Sequence, residues 1–207
     1  MWPDPQNTEQ LLAQVQDGNE DAINRLLVRH RDAVRRMIDL RMDHVLKRRV
    51  DASDIAQEVM IDAHRRLRSY LENPAMPFHL WLRQIAKDRL IDAHRRHRQT
   101  ARRSMDREQR AAPALGNESS VDLVSQLRDD GLTPATAATW QELQRRFSSA
   151  CEQLDPHDQE IVLMRHFEEL SNGEVASMLE ISPQATSMRY LRAMRRLRAL
   201  MDYNQDG

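Results

Sequence analysis

Apolar residues return at three- and four-residue steps along much of this chain, without the period-two alternation of a half-buried strand. Trp140, Leu143, Phe147, Ala150 and Leu154 mark one face of a helix. Asp155-Pro156 then ends that helix and caps the next, with proline at the first helical position, where a missing N–H costs nothing. Ile161, Val162, Met164, Arg165 and Phe167 continue this second helix. Ser171-Asn-Gly-Glu174 has the spacing of a capping box, in which the serine accepts from the third helical amide and the glutamate reaches back. Val175, Ala176, Met178 and Leu179 give the short helix that follows a buried face, Glu180-Ile181 makes a tight turn, and Ser182-Pro183 opens a last helix. Nearer the N-terminus, Ile55, Val59 and Ala63 form one apolar stripe, and Trp81, Leu82, Ile85 and Ala86 share another helix. The pattern predicts an all-α protein.

Composition sharpens this. Only 5 glycines occur in 207 residues, too few for a turn-rich β fold. The length allows one domain or two small ones. AAPALGNESSVDLVSQLRDDGLTP has little sustained periodicity and carries Pro, Gly, Asn and Ser. It predicts a linker over residues 100–132, with a short helical turn at Val121–Leu127, between helical domains at 1–99 and 133–207. Thr133-Pro134 would cap the first helix of the second domain. The net charge of −1 conceals a segregation: arginines crowd Arg83–Arg110, acids dominate Glu118–Glu142, and a second basic run closes the chain at Arg189–Arg198. The single cysteine, Cys151, cannot form an internal disulfide, so the chain reads as a reduced, cytoplasmic protein. No apolar run approaches the roughly 20 residues of a membrane span, and MWPDPQNTEQ has no signal-peptide core, so no membrane insertion is expected.

Two short helices joined by a tight turn make a helix-turn-helix, whose second helix enters the DNA major groove. Gln184, Ser187, Met188, Arg189 and Arg192 would then face base edges, while Arg195, Arg196 and Arg198 reach phosphates. Ala185, Tyr190, Ala193, Met194 and Leu197 would anchor the helix to its domain. The competing reading is a solvated arginine face on a plain helical bundle.

Asp51 to Gln99 narrows the function. Asp-Ile-Ala-Gln-Glu-Val at 54–59, the Phe78…Trp81-Leu82…Ile85-Ala86 series, and Ile91-Asp92 before an arginine cluster resemble the extracytoplasmic-function (ECF) sigma factors of bacterial RNA polymerase. Leu170–Leu197 is similar, without a gap, to that family's fourth conserved region. The resemblance implies two small helical domains, region 2 and region 4, joined by a flexible linker. It implies that Asp51, Asp54, Gln57 and Glu58 dock on core polymerase, where composition alone would allow a solvated acidic face. It places the capture of a flipped minus-ten base in a loop at Ser69–Phe78, where Asn73 supplies hydrogen bonds and Tyr70 and Met76 supply apolar surface. His79, Arg83, Lys87, Arg95 and Arg96 would track phosphates of the melted strand. Trp81 is read as core rather than as a melting wedge. Asp88 stands where the family often has asparagine, and would accept from a cytosine amino group or orient Arg89 or Arg83. Gln184 replaces a frequent glycine and Ser187 a frequent basic residue, which bears on promoter preference rather than on fold.

The expected function is thus that of an alternative sigma factor that binds core RNA polymerase and directs promoter-specific initiation. Its partners would be core RNA polymerase and promoter DNA, and it would be monomeric outside the holoenzyme. A separate anti-sigma factor, phosphorylation or expression level could control it. The acidic linker would thread the polymerase near its active centre, or would simply solubilise the tether. Eight histidines invite a metal or catalytic reading, but no HExxH, CxxC, Gly-rich phosphate loop or nucleophile elbow occurs, so neither enzyme activity nor a metal or cofactor is expected. One competing class is a helix-turn-helix regulator acting without polymerase core, which would need a dimerisation element; another is a helical adaptor or anti-sigma-type protein that binds only protein, against which the two arginine runs argue.

Overall fold

The computed structural model describes residues 2–105, 147, 149–151 and 153–203. Among them every regular element is helical. They divide into two compact units, one holding the helices up to Met105 and the other the residues from Phe147 onward.

In the first unit, α1 (Pro5–Gln16) starts on Asp4, whose carboxylate accepts from the Gln6 amide at 3.3 Å, with Pro5 at the first position. Gly18, at φ 87°, makes the turn that a β-carbon would resist, and Asn19 caps α2 (Glu20–Arg41) by accepting from Ala22 at 3.2 Å. Asp43 caps the single turn α3 (His44–Lys47) in the same way, at 2.7 Å to Leu46. The long helices α4 (Ala52–Glu72) and α5 (Phe78–Met105) complete the unit. Helix α5 therefore continues through residues 100–105, which the sequence assigned to the linker. The remainder of that linker, the Val121–Leu127 turn, Thr133-Pro134, Trp140 and Leu143 lie outside the described residues.

The core forms where α2, α4 and α5 meet. Leu26, Val34, Met37 and Ile38 of α2 pack with Ile55, Ala56, Val59 and Ala63 of α4 and with Leu82, Ile85 and Ala86 of α5. Each large apolar side chain so buried contributes roughly 1.5–3 kcal/mol relative to exposure. Beside this core, Arg89 of α5 sets two guanidinium nitrogens on one oxygen of Asp62 of α4, the Nε donating at 2.6 Å, and Arg66 approaches the same oxygen at 3.6 Å. Asp62 is buried, so its charge is tolerated only because these cations face it.

An aromatic chain closes one end of the unit. Trp2 lies against His30 and His79, His30 meets the Phe78 edge at 5.1 Å, and Tyr70, Phe78 and Trp81 pack on one another, Tyr70 and Trp81 at 4.7 Å. Trp81 is accordingly part of the packing, half-buried against the core. His30 is buried, with its Nε2 3.1 Å from the Thr8 hydroxyl. Burial, then the neighbouring His79 and Arg29, lower its pKa from 6.5 to about 4. Between these values the unfolded chain binds a proton that the folded chain refuses, so stability is full above the unfolded value and falls as pH drops. Unfolding free energy from urea titration should decline by about 2 kcal/mol between pH 7 and pH 5 through this group alone. A folded His30→Gln variant should show a flatter profile over that range; an unchanged profile would remove His30 as the cause.

The second unit begins with helical residues at 147 and 149–151, of which Ala150 and Cys151 are buried with Leu154. Asp155 caps α6 (Pro156–Val162), accepting from His157 at 2.9 Å. The expected single helix through Phe167 is instead an α-helix as far as Val162, followed by a wider π turn at Leu163–Phe167. Next come α7 (Asn172–Met178) and α8 (Pro183–Tyr203), with α6 and α7 both packed on α8.

Candidate nucleic-acid and partner interfaces

The capping box is formed in full: the Glu174 amide donates to Ser171 Oγ at 3.2 Å and the Ser171 amide to Glu174 Oε2 at 2.7 Å. Glu180, at φ 54°, turns the chain out of α7, and Ser182 Oγ accepts from Ala185 at 3.1 Å to open α8. Asn172 donates across the turn to the Pro183 carbonyl at 2.8 Å, which ties the two helices of the motif together. The predicted helix-turn-helix is present, with caps where the sequence put them.

Its outer face carries Gln184, Ser187, Met188, Arg192, Arg195, Arg196 and Arg198, all exposed, with Arg189 half-buried at the edge. Ser187 spends its hydroxyl hydrogen on the Pro183 carbonyl at 3.1 Å and so offers a groove only its lone pairs. Arg198 lies 3.9 Å from Asp202, an exposed and therefore weak pairing. The anchoring side differs from expectation by one residue: Ala185 is exposed and Thr186 is buried, its hydroxyl satisfied by the Ser182 carbonyl at 3.1 Å. Ala193 and Leu197 are buried and Tyr190 and Met194 half-buried, as expected. Two residues were missed. Arg165 of the π turn donates to the Leu170 carbonyl at 2.7 Å and lies 5.6 Å over the Tyr190 ring, so it buttresses α8 from behind. Leu191 is exposed beside Met188 and makes part of the outer face apolar.

In the first unit, Asp54 and Gln57 are exposed on the outer stripe of α4, which continues through Ile61 and Arg65. Asp51 has a structural duty besides: it caps α4, accepting from Ser53 at 2.7 Å, and that bond holds its carboxyl below the usual value. Glu58 and Arg96, assigned by sequence to different partners, are paired with each other at 3.0 Å, with side chains 38% and 57% exposed.

The minus-ten assignments need correction. Arg83 is fully buried, at 0% exposure, so it does not track phosphates. Helix α5 packs against both α2 and α4, and the resulting wide stripe takes in Leu82, Arg83, Ile85 and Ala86 together. Tyr70 is also buried: its ring is engaged by Phe78 and Trp81, so it offers no stacking surface. The loop is shorter than Ser69–Phe78, because α4 runs to Glu72 and α5 begins at Phe78. What remains is Asn73–Pro77, with Asn73 exposed at the helix C-cap and Met76 half-buried. Lys87, Asp88 and Arg95 are exposed, His79 is half-buried under Trp2, and Arg89 takes Asp62 rather than Asp88. Among the described residues no group of three or more His, Cys, Asp or Glu side chains could hold a metal ion.

A helical protein whose second unit turns a capped helix-turn-helix and its arginines outward has the build of a DNA-binding protein. The sequence model of one family, described as ECF sigma factor, matches residues 5–202, and the chain belongs to that family. It is an alternative sigma factor, a subunit that joins core RNA polymerase and directs initiation at particular promoters. Two of the solved structures that share the fold are those of CnrH and RpoE. CnrH, in complex with the cytosolic domain of CnrY, is 21% identical with a TM-score of 0.56, covering 93% of this chain and 96% of that one. The sigma factor RpoE of Bartonella quintana, in complex with the anti-sigma factor NepR, is 18% identical with a TM-score of 0.50, covering 83% and 91%. A comparison with curated proteins gave no match.

Proposed function

We propose that the α1–α5 unit, extending the predicted 1–99 domain, docks on core polymerase through Asp54, Gln57 and Glu58 and engages the minus-ten element through the Asn73–Pro77 loop and the exposed face of α5. The α6–α8 unit, within the predicted 133–207 domain, reads the minus-thirty-five element. The observation that carries this reading is the capped helix-turn-helix whose α8 turns Gln184, Met188 and Arg192 outward while Thr186, Ala193 and Leu197 hold it from within. Leu191 and Met188 add an apolar patch suited to a thymine methyl group. Lys87 and Arg95 track phosphates, and Arg96 joins them from its pair with Glu58. The action is binding and positioning, without a chemical step of its own, in the cytoplasm beside the polymerase; no helix among the described residues is long and apolar enough to cross a membrane. A separate anti-sigma factor is a fitting regulator, since RpoE was captured with one.

Run-off transcription with core enzyme on a genomic fragment library supplies the promoters, and the two elements are then randomised separately. Substitutions on α8 should alter selection only in the minus-thirty-five element. If they alter the minus-ten element instead, the division of labour is wrong. Asn73→Ala should reduce permanganate-reactive open complex more than closed complex, because a pocket for an extruded base acts only after melting. Equal loss of both would make Asn73 a turn residue before Pro74 and nothing more.

A further inference from the structure

The loop proposed to take the extruded base is short and poor in donors. Of Asn73, Pro74, Ala75, Met76 and Pro77, the two prolines have no N–H to tie the loop to the fold. Asn73 leaves α4 with φ −148° and ψ 80°, outside the helical region that a following proline disfavours, and Pro77 turns the chain back by accepting from Leu80 and Trp81 at 3.0 and 3.1 Å. Between these ends the loop is held by a side chain from below. Tyr70 Oη donates to the Met76 carbonyl at 2.9 Å, and the Tyr70 ring is clamped between Trp81, at 4.7 Å, and Phe78, at 5.6 Å.

We infer that Tyr70 is a positioning residue for minus-ten recognition: its hydroxyl fixes the Met76 end of the loop and thereby sets the shape of the base site, without touching the base. The inference rests on the reading of this loop as the base-capture element. Three features support it. The ring cannot swing, because two aromatic neighbours pack on it and it is buried, so the hydroxyl is presented from a fixed point. The hydroxyl also stays a donor: burial pushes the phenol above its usual value near 10, so it remains protonated at any working pH. Finally, Met76 is half-buried, with its carbonyl turned inward to Tyr70, so the Met76 backbone is fixed relative to Asn73 across only two intervening residues. Without that bond the loop still starts and ends at the same helices, but its middle is free to take several arrangements, only some of which fit one base.

Tyr70→Phe tests this, since it removes one oxygen and leaves the ring stack in place. Holoenzyme carrying it should bind core and form closed complex as wild type does. Its open complex should be shorter-lived by roughly three- to ten-fold, the size of one lost hydrogen bond. A library randomised across the minus-ten element should return a broader base preference at the captured position. A merely structural role would not change which base is selected. Asn73→Ala is run alongside. If Asn73→Ala loses open complex while Tyr70→Phe selects the same bases with the same lifetime, Tyr70 does not position the loop and the inference falls, though the loop reading stands. If both behave as wild type, the loop does not capture a base, and both readings fall. If Tyr70→Phe weakens closed and open complexes equally, its effect is on the fold and the inference is likewise overturned.

Discussion

Reversing charge at Asp54 and Glu58 together should abolish assembly with core polymerase, weakening affinity on the order of a hundred-fold or more, while the protein stays folded. Close charge pairs across an interface are worth several kcal/mol when one member is lost, and reversal adds repulsion. Asp54 is exposed and the Glu58 side chain is 38% exposed, so neither substitution opens the core. Glu58 complicates the test, because Arg96 pairs with it. Glu58→Lys would set two cations together, and a loss of polymerase binding could then stem from a disturbed α4–α5 surface. The exchange Glu58→Lys with Arg96→Glu separates the two causes. It restores opposite charges across α4 and α5 but leaves the outer face reversed. Titration of fluorescent core with each variant, with thermal unfolding as control, should show the exchange nearly as defective as Glu58→Lys alone. If the exchange recovers full binding, Glu58 acts within the fold, and Asp54 and Gln57 carry the docking without it.

That pair also marks how far the sequence could be read. The helix caps of the second unit were legible. Asp155-Pro156, Ser171 with Glu174, and Ser182-Pro183 each satisfy orphan amides within three residues of themselves, and each cap is present. The family, too, was legible from Asp54–Val59, Phe78–Ala86 and Leu170–Leu197, and the family match spans residues 5–202. Contacts between distant segments were not. Arg96 finds Glu58 38 positions away and Arg89 finds Asp62 27 positions away, and no periodicity announces either. Arg83 was misread because a charge suggests solvent; in a helix packed on two sides the buried stripe widens until an arginine falls inside it. Tyr70 was misread because the end of α4 was placed too early. Ser69–Glu72 contains no breaker, and the chain leaves the helix only where Pro74 forces Asn73 out of it. The sequence reading put Ala185 on the anchoring side and gave Thr186 no role. Thr186 satisfies its buried hydroxyl by donating to the carbonyl four residues back, and its place in the run 186, 190, 193, 197 was the signal available.

On the recognition helix the arginines should separate into two kinds. Arg189 and Arg192 lie three residues apart and within three turns of the α8 N-terminus, the part of such a helix that sits over base edges. Arg196 is a further turn along, exposed, where the helix departs from the groove floor toward the backbone. Arg192 is exposed, whereas Arg189 is half-buried, so Arg192 has the freer reach and should show the larger effect. Arg192→Ala should cost about 1–3 kcal/mol in minus-thirty-five binding and relax preference at one base position, with Arg189→Ala at the lower end of that range and the double variant close to their sum. Arg196→Ala should weaken binding on all sequences alike and lower the salt slope by about one unit, because a phosphate contact carries no sequence information. Selection by holoenzyme from a randomised minus-thirty-five library, repeated at two salt concentrations, measures both effects at once. Should the Arg189, Arg192 and Arg196 variants all select the wild-type sequence and differ only in salt slope, α8 is an electrostatic anchor. Promoter choice would then rest on the α1–α5 unit.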